Sequence, residues 1–252
     1  MVKMIMHGCN GAMGQVITGL VAEDKDIEIV AGIDLNDRQD KSYPVFSSLD
    51  CCHVKADVIV DFASAKAVDG LLAHSSAHRI PVVLCTTGLS EEQIKGVEAA
   101  SEQTAVLRSA NMSLGVNLLM KLVQDAARVL AGAGFDMEIV EKHHNQKMDA
   151  PSGTALALAD SINGAMENQY SYTYDRSTRR QKRDGREIGI SAVRGGSIVG
   201  EHDVIFAGKD EVVTFCHTAY SKTIFAKGAL EAAKFLAGKE PGLYTMADVI
   251  QF

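Results

Sequence analysis

The chain has 252 residues, of which 46% are hydrophobic and 23% charged, and its formal net charge is -7. That length and composition support a packed core in one large domain or two modest ones, without disulfide or metal staples. The acidic balance argues against general nucleic-acid binding, and no run approaches the roughly 20 apolar residues needed to span a bilayer.

The chain opens Met1-Val-Lys-Met-Ile-Met6 and reaches Gly8 at once, so no signal peptide is expected ahead of the first element. Cys9, Cys51, Cys52, Cys85 and Cys216 follow neither a disulfide framework nor a zinc ribbon. A reducing, cytoplasmic compartment is the expectation.

Short Val/Ile-rich runs at 2–7, 27–34, 57–62 and 80–85 read as parallel strands buried on both faces. Helices are predicted between them at 12–23, 65–77 and 90–102, the last opened by Ser90 ahead of Glu91, Glu92 and Gln93. This alternation predicts a doubly wound, Rossmann-like α/β sheet.

The pattern changes near Ser109-Ala-Asn-Met-Ser113. A helix over 114–131 ends at Gly132-Ala-Gly134, and runs at 136–142, 187–194, 197–207 and 211–219 alternate polar and apolar residues. Alternation predicts a largely antiparallel open sheet with one covered face, within a mixed α+β domain. A helix at 153–165 interrupts the strands, the polar and basic stretch 166–186 reads as a mobile loop, and a last helix is expected at 224–237.

Two domains follow: 1–112 with 223–252 as a dinucleotide-binding domain, and 113–222 for substrate binding and oligomerisation. Self-association would cover the open sheet face.

Gly8, Gly11 and Gly14 form a G-x-x-G-x-x-G loop between the first strand and first helix. Glycine permits a tight turn and a close approach of backbone N–H groups to a pyrophosphate, and the helix start adds unpaired donors. Asp34, ending the second strand about twenty residues on, suits a ribose 2′-OH. The glycines alone also fit an ordinary strand-to-helix turn; strand, loop, helix, second strand and acid together point to a dinucleotide. An acid at position 34, alanine at 12, and Arg38 as the nearest cation predict a preference for NADH, with NADPH tolerated.

The densest chemistry lies in Glu141-Lys-His-His-Asn-Gln-Lys-Met-Asp-Ala-Pro-Ser-Gly-Thr154, where a strand run ends and a helix begins. His143, His144 and Lys147 group proton donors and cations, and the start of the helix at Ser152-Gly153-Thr154 can hold an anion. Such a site fits a small molecule with more than one carboxylate that gains a proton. Alternatives stand beside this reading. Paired histidines also occur as surface polar residues, and Ser152 or Thr154 also serves as a plain N-cap. His202 and His217 on neighbouring strands raise a metal, but the spacing lacks a His-Glu-x-x-His pattern and a carboxylate or cysteine partner, so no metal is expected.

The string from Glu141 to Thr154 resembles the E-x-H-H-x-x-K-x-D-A-P-S-G-T block of 4-hydroxy-tetrahydrodipicolinate reductases. Gly8 to Gly14, Thr86-Thr87-Gly88, Asn111 to Asn117, Arg194 to His202 and Phe225 to Ala229 match that family in order, over essentially the whole chain. The resemblance implies an NAD(P)H-dependent oxidoreductase that passes hydride to a cyclic dicarboxylate, yielding tetrahydrodipicolinate for diaminopimelate and lysine biosynthesis. By match, His143 is the proton donor/acceptor and Lys147 the proton donor. His144, Ser152, Gly153 and Thr154 take the substrate. Gly8, Cys9, Asn10, Gly11, Ala12, Met13, Asp34, Cys85, Thr86, Thr87, Ser109, Ala110, Asn111 and Met112 line the cofactor. The resemblance also implies a homotetramer joined through the second domain's sheet. Domain closure is expected at hinges near 109–113 and 221–224.

The chain departs from the family pattern at Cys85, where glycine is usual, at Ala12 and Leu35, where basic residues are common, and at Lys222, where arginine is common. On residues alone, the rivals are a dehydrogenase for another amino or keto dicarboxylate, a catalytically silent dinucleotide sensor, and a metal hydrolase. The basic run Arg176, Arg179, Arg180, Lys182, Arg183 and Arg186 is interspersed with Asp175 and Asp184, borders Glu187 and has no aromatics within it. It reads as a solvated loop with no nucleic-acid role.

Overall fold

The computed structural model describes residues 1–36, 38–177 and 179–250. In chain order the strands and helices are β1 (Val2–His7), α1 (Ala12–Val21), β2 (Ile27–Ile33), β3 (Val45–Phe46), β4 (Val58–Asp61), α2 (Ala65–His78), β5 (Val82–Leu84), α3 (Glu91–Ser101) and β6 (Ala105–Arg108). Then come α4 (Leu114–Leu130), β7 (Asp136–His143), α5 (Gly153–Ala165), β8 (Ser171–Tyr174), β9 (Glu187–Arg194), β10 (Gly200–Ala207) and β11 (Val212–Ala219). The chain closes with α6 (Thr223–Leu236), β12 (Gly242–Tyr244) and α7 (Met246–Ile250). It divides into two compact units, Met1–Met112 with Thr223–Phe252, and Ser113–Lys222.

The first unit is built on a seven-stranded sheet in the order β12-β6-β5-β4-β1-β2-β3, parallel at every pairing. Its strands are continuously apolar because both faces are covered. Met4, Met6, Val58 and Val60 pack with Ile17 of α1 and Ala229 and Leu230 of α6. Ile5, Ile59 and Val82 pack with Leu71 of α2 and Val97 of α3. Ser90 starts α3 with a reciprocal capping box: its Oγ accepts from Gln93 N–H at 3.2 Å, and Gln93 Oε1 accepts from Ser90 N–H at 3.1 Å. The order reverses at β1, so the carboxyl ends of β1 and β4 form the crevice where such sheets bind ligands. Strands β3, β6 and β12 are too short to show a periodicity, and the apolar pattern does not single them out.

The second unit carries a five-stranded sheet in the order β11-β10-β7-β9-β8. It is mixed: β11, β10 and β7 run antiparallel, whereas β9 runs parallel to β7 and β8 parallel to β9. One face packs on α4 and α5. Met137, Ile139, Ile188, Ile190, Val204 and Phe206 meet Leu119 and Val123 of α4 and Leu158 and Ile162 of α5.

The stretch 166–186 is largely solvent-exposed, as its composition predicts, but it is not all loop. It contains β8, which pairs parallel with β9 and so is joined to it by a crossover. Two of its arginines, Arg176 and Arg183, pair with carboxylates of the sheet. Arg183 donates to Glu138 Oε1 at 2.9 Å, to Asp136 Oδ1 at 2.8 Å and to the Met137 carbonyl at 2.9 Å. Arg176 pairs with Glu187 and Glu138. These carboxylates alternate with core residues on the strands, so their pairing partners are invisible in a linear reading of charge. No helix among the described residues is long and apolar enough to cross a membrane.

Candidate functional site

In the first unit, Gly8 follows β1 with φ +83°, and a Cβ there would sit 2.9 Å from the Phe62 carbonyl carbon. A Cβ on Gly14 would sit 2.3 Å from the Gly8 carbonyl oxygen. Only glycine fits either place. Gly11 precedes α1 without a side-chain cap, which leaves the first amides of the helix open to an anion. A cavity of about 560 Å³ opens here, lined by His7, Gly8, Gly11, Asp34, Leu35, Phe62, Ala63, Ser64 and Lys66, among others.

Asp34 ties this loop together. Its Oδ2 accepts from Asn10 N–H at 2.9 Å and its Oδ1 from Asn36 N–H at 3.1 Å. A carboxylate has about four acceptor sites, so capacity for ribose hydroxyls is left.

Other residues expected at the cofactor take different positions. Cys9 is fully buried and packs in the core with Ile17 and Tyr43. Burial and the nearby Asp34 push its thiol up to about 11, so only its backbone is available to a ligand. Asn10 lies within the loop, Ala12 is exposed at the first turn of α1, and Met13 packs against the core. Cys85, Thr86 and Thr87 follow β5, and Ser109, Ala110, Asn111 and Met112 follow β6; these seven lie outside the cavity lining. Thr86 donates to Asp61 Oδ2 at 2.6 Å. Burial and Asp61 push the Cys85 thiol well up, so it is neutral. Leu35 is 95% exposed.

The second site grows out of strand register. The inner-face residues stack in rows: Phe215, Val204, Ile139 and Ile190 form an apolar row, and the next row is His217, His202, Glu141 and Ala192. His143 then lies opposite Arg194. The face that forms the core at one end thus becomes ionisable at the other.

His143 Nδ1 lies 2.6 Å from Glu141 Oε2. Glu141 is fully buried and accepts from both Arg194 terminal nitrogens, at 2.8 and 2.7 Å, and from Ser152 N–H at 2.9 Å. Burial alone would raise the Glu141 carboxyl, but hydrogen bonds from Arg194, His143 and Ser152 outweigh it and hold it below the usual range. A carboxylate only accepts, so Nδ1 carries the hydrogen and Nε2 is the nitrogen left for chemistry. Gly200 leaves room at that atom: a Cβ there would lie 3.0 Å from His143 Nε2.

Ser152 caps α5, its Oγ accepting from Ala155 N–H at 3.1 Å and pairing with His202 Nε2 at 2.9 Å. It is therefore turned inward, 2% exposed, whereas Gly153 is exposed and Thr154 half-buried at the helix start. His202 stands edge-on to His143, ring centroids 5.1 Å apart. Burial, then the neighbouring His143, push His202 down to about 4, so it is neutral near pH 7. Burial also lowers His217. Lys147 Nζ pairs with Asp149 Oδ1 at 2.8 Å, and this contact is the main cause lowering the Asp149 carboxyl. His144 is half-buried. Among the described residues no group of three or more His, Cys, Asp or Glu is placed to hold a metal.

Sequence reasoning singled out the histidines and Lys147 but gave no role to Glu141 or Arg194, and weighed His202 only as a metal ligand. The available signal was the two-residue alternation that puts Glu141 and His143 on one face of β7.

The sequence profile described as dihydrodipicolinate reductase, N-terminus, matches residues 2–112, and that described as dihydrodipicolinate reductase, C-terminus, matches residues 115–250. A 4-hydroxy-tetrahydrodipicolinate reductase of Caldanaerobacter subterraneus subsp. tengcongensis is 53% identical over 251 residues, covering 100% of this chain and 99% of that protein. One from Clostridium novyi is 47% identical, with 100% and 99% covered. The solved dipicolinate-bound dihydrodipicolinate reductase from Paenisporosarcina sp. TG-14 superposes with a TM-score of 0.81 at 25% identity, over 99% of each chain. With both halves matched and full-length identity at this level, the chain belongs to the dihydrodipicolinate reductase family.

Proposed function

We propose that this chain catalyses the NAD(P)H-dependent reduction of 4-hydroxy-tetrahydrodipicolinate to tetrahydrodipicolinate, in diaminopimelate and lysine biosynthesis. The observation that carries the reading is the His143–Glu141–Arg194 arrangement beside the start of α5, in a chain whose relatives bear that enzyme's name over their full length.

The first unit fits a dinucleotide: the glycine loop admits no side chains at positions 8 and 14, and the helix start is uncapped. Gly8, Gly11 and Asp34 would hold the pyrophosphate and ribose, with Thr86 and the 109–112 segment toward the nicotinamide. A bound reduced nicotinamide supplies the hydride. Asp34 opposes a 2′-phosphate, and Leu35 gives it no partner, so NADH is preferred; Lys66 at the same cavity lets NADPH be tolerated.

In the second unit, His144, Gly153 and Thr154 bind the substrate's carboxylates, with Ser152 holding the helix start in place. Glu141 presents His143 through Nε2. Lys147, an ammonium on a flexible stem, gives up its Asp149 partner to an incoming carboxylate and delivers the proton that must accompany the hydride. The ring hydroxyl leaves as water: His143 Nε2 takes the neighbouring ring proton and returns it to the departing hydroxyl, so that one net proton, from Lys147, is taken up with each hydride. The exposed side of the sheet, with Val193 and Val212 uncovered, supports assembly into a homotetramer, and the chain works in the cytoplasm.

The test is consumption of NADH and NADPH by the purified protein with substrate formed in situ from pyruvate and aspartate semialdehyde. Consumption that requires both precursors supports the reading, and none with either cofactor defeats it. Light scattering gives the assembly.

A further inference from the structure

A second buried titratable pair lies in the first unit, at the cavity the glycine loop opens. His7 ends β1 and is 8% exposed, and Asp61 ends β4 and is fully buried. His7 Nδ1 stands 2.8 Å from Asp61 Oδ1. The same carboxyl group accepts from Thr86 Oγ1 at 2.6 Å and from Ala63 N–H at 3.2 Å. One side chain thus ties the carboxyl ends of β1 and β4 to the residue that follows Cys85. His7 also lines the cavity beside Gly8 and Gly11.

As a carboxylate Asp61 only accepts, so the hydrogen between the pair sits on His7 Nδ1. The polar atom His7 can still offer the cavity is Nε2. In a neutral ring that atom is a lone pair, which repels an anion; in an imidazolium it is a charged donor. The other charged or titratable groups near His7 are its partner Asp61 on β4 and, lining the cavity, Asp34 after β2, Lys66 on α2 and Asp50; Cys85, after β5 and outside the lining, is a neutral thiol.

We infer that His7 is a dinucleotide-binding residue, held by Asp61, whose imidazolium Nε2–H donates to the cofactor's pyrophosphate, so that cofactor binding takes up a proton. The inference rests on the dinucleotide reading of this unit.

The test is calorimetric titration of the intact protein with NADH and with ADP-ribose, near pH 6 and near pH 8.5, in buffers of different ionisation heat. Wild type should bind both about tenfold more tightly at the lower pH, the size of one charge-assisted hydrogen bond, with proton uptake. ADP-ribose keeps the effect because it keeps the pyrophosphate. His7→Gln, or His7→Asn should the first misfold, should bind with the weaker affinity at both pH values and without that uptake. Binding by wild type with no uptake, or an unchanged pH dependence in either variant, overturns the role of His7 alone. Failure of wild type to bind either ligand overturns the dinucleotide reading and this inference with it.

Discussion

Arg194 grips Glu141 with both terminal nitrogens, at 2.8 and 2.7 Å, and Glu141 in turn holds the ring of His143 at 2.6 Å. The pair spans two neighbouring strands, β9 and β7, and the carboxylate is fully buried. A buried carboxylate is costly unless its lone pairs are used, and here Arg194, His143 and the Ser152 amide use them. The consequence is a single ring orientation with Nε2 outward.

Glu141→Gln keeps the shape and removes the charge. It should leave the protein folded and NADH affinity unchanged while kcat falls about a hundredfold, the usual weight of one acid–base group. Steady-state kinetics with fluorescence-monitored NADH binding checks this. An unchanged kcat would show that the orientation of His143 does not matter to turnover.

Gly200→Ala adds one methyl group 3.0 Å from His143 Nε2. The ring must shift by a few tenths of an ångström, and catalysis is sensitive to displacements of that order. The expected result is a drop in kcat of about tenfold or more, with a Tm within a few degrees of wild type.

His202 makes stability depend on pH. Its folded-state value is pushed down to about 4, against about 6.5 in an unfolded chain. Between those values the unfolded chain binds a proton that the folded chain does not, so stability is complete above about pH 6.5 and falls as pH drops towards about 4. The full loss from this group is on the order of 3 kcal/mol. In His202→Gln, urea midpoints between about pH 7 and pH 4.5 should fall less steeply than in wild type; His217, shifted the same way, leaves a residual slope.

The parts legible in the linear chain were those whose cause is local. The glycine loop, the Ser90 cap and the continuously apolar parallel strands each follow from neighbouring residues. The His143–Lys147 block was legible because it is contiguous. Arg194, fifty-three residues from Glu141, and His202, joined to Ser152 across fifty, meet their partners through strand register, which composition does not encode. The pairing of Arg176 and Arg183 is hidden for the same reason: their carboxylates lie on β7 and β9. His7 carries no signal in the linear chain, because its partner Asp61 belongs to a strand that meets β1 only in the folded sheet.

The proposed preference for NADH rests on Asp34, which faces the cavity while bonding the Asn10 amide. Asp34→Ser retains an acceptor and removes the charge that opposes a 2′-phosphate. The ratio of kcat/KM for NADPH over NADH should rise about tenfold or more. A ratio that does not move would place cofactor selection elsewhere.

The most direct test concerns Lys147, which is proposed to deliver the proton. Lys147→Ala should lower kcat for NADH-dependent reduction of the pyruvate–aspartate semialdehyde condensation product by about a hundredfold or more, with the NADH Kd within about twofold of wild type. Turnover near the wild-type rate in that variant would contradict the account.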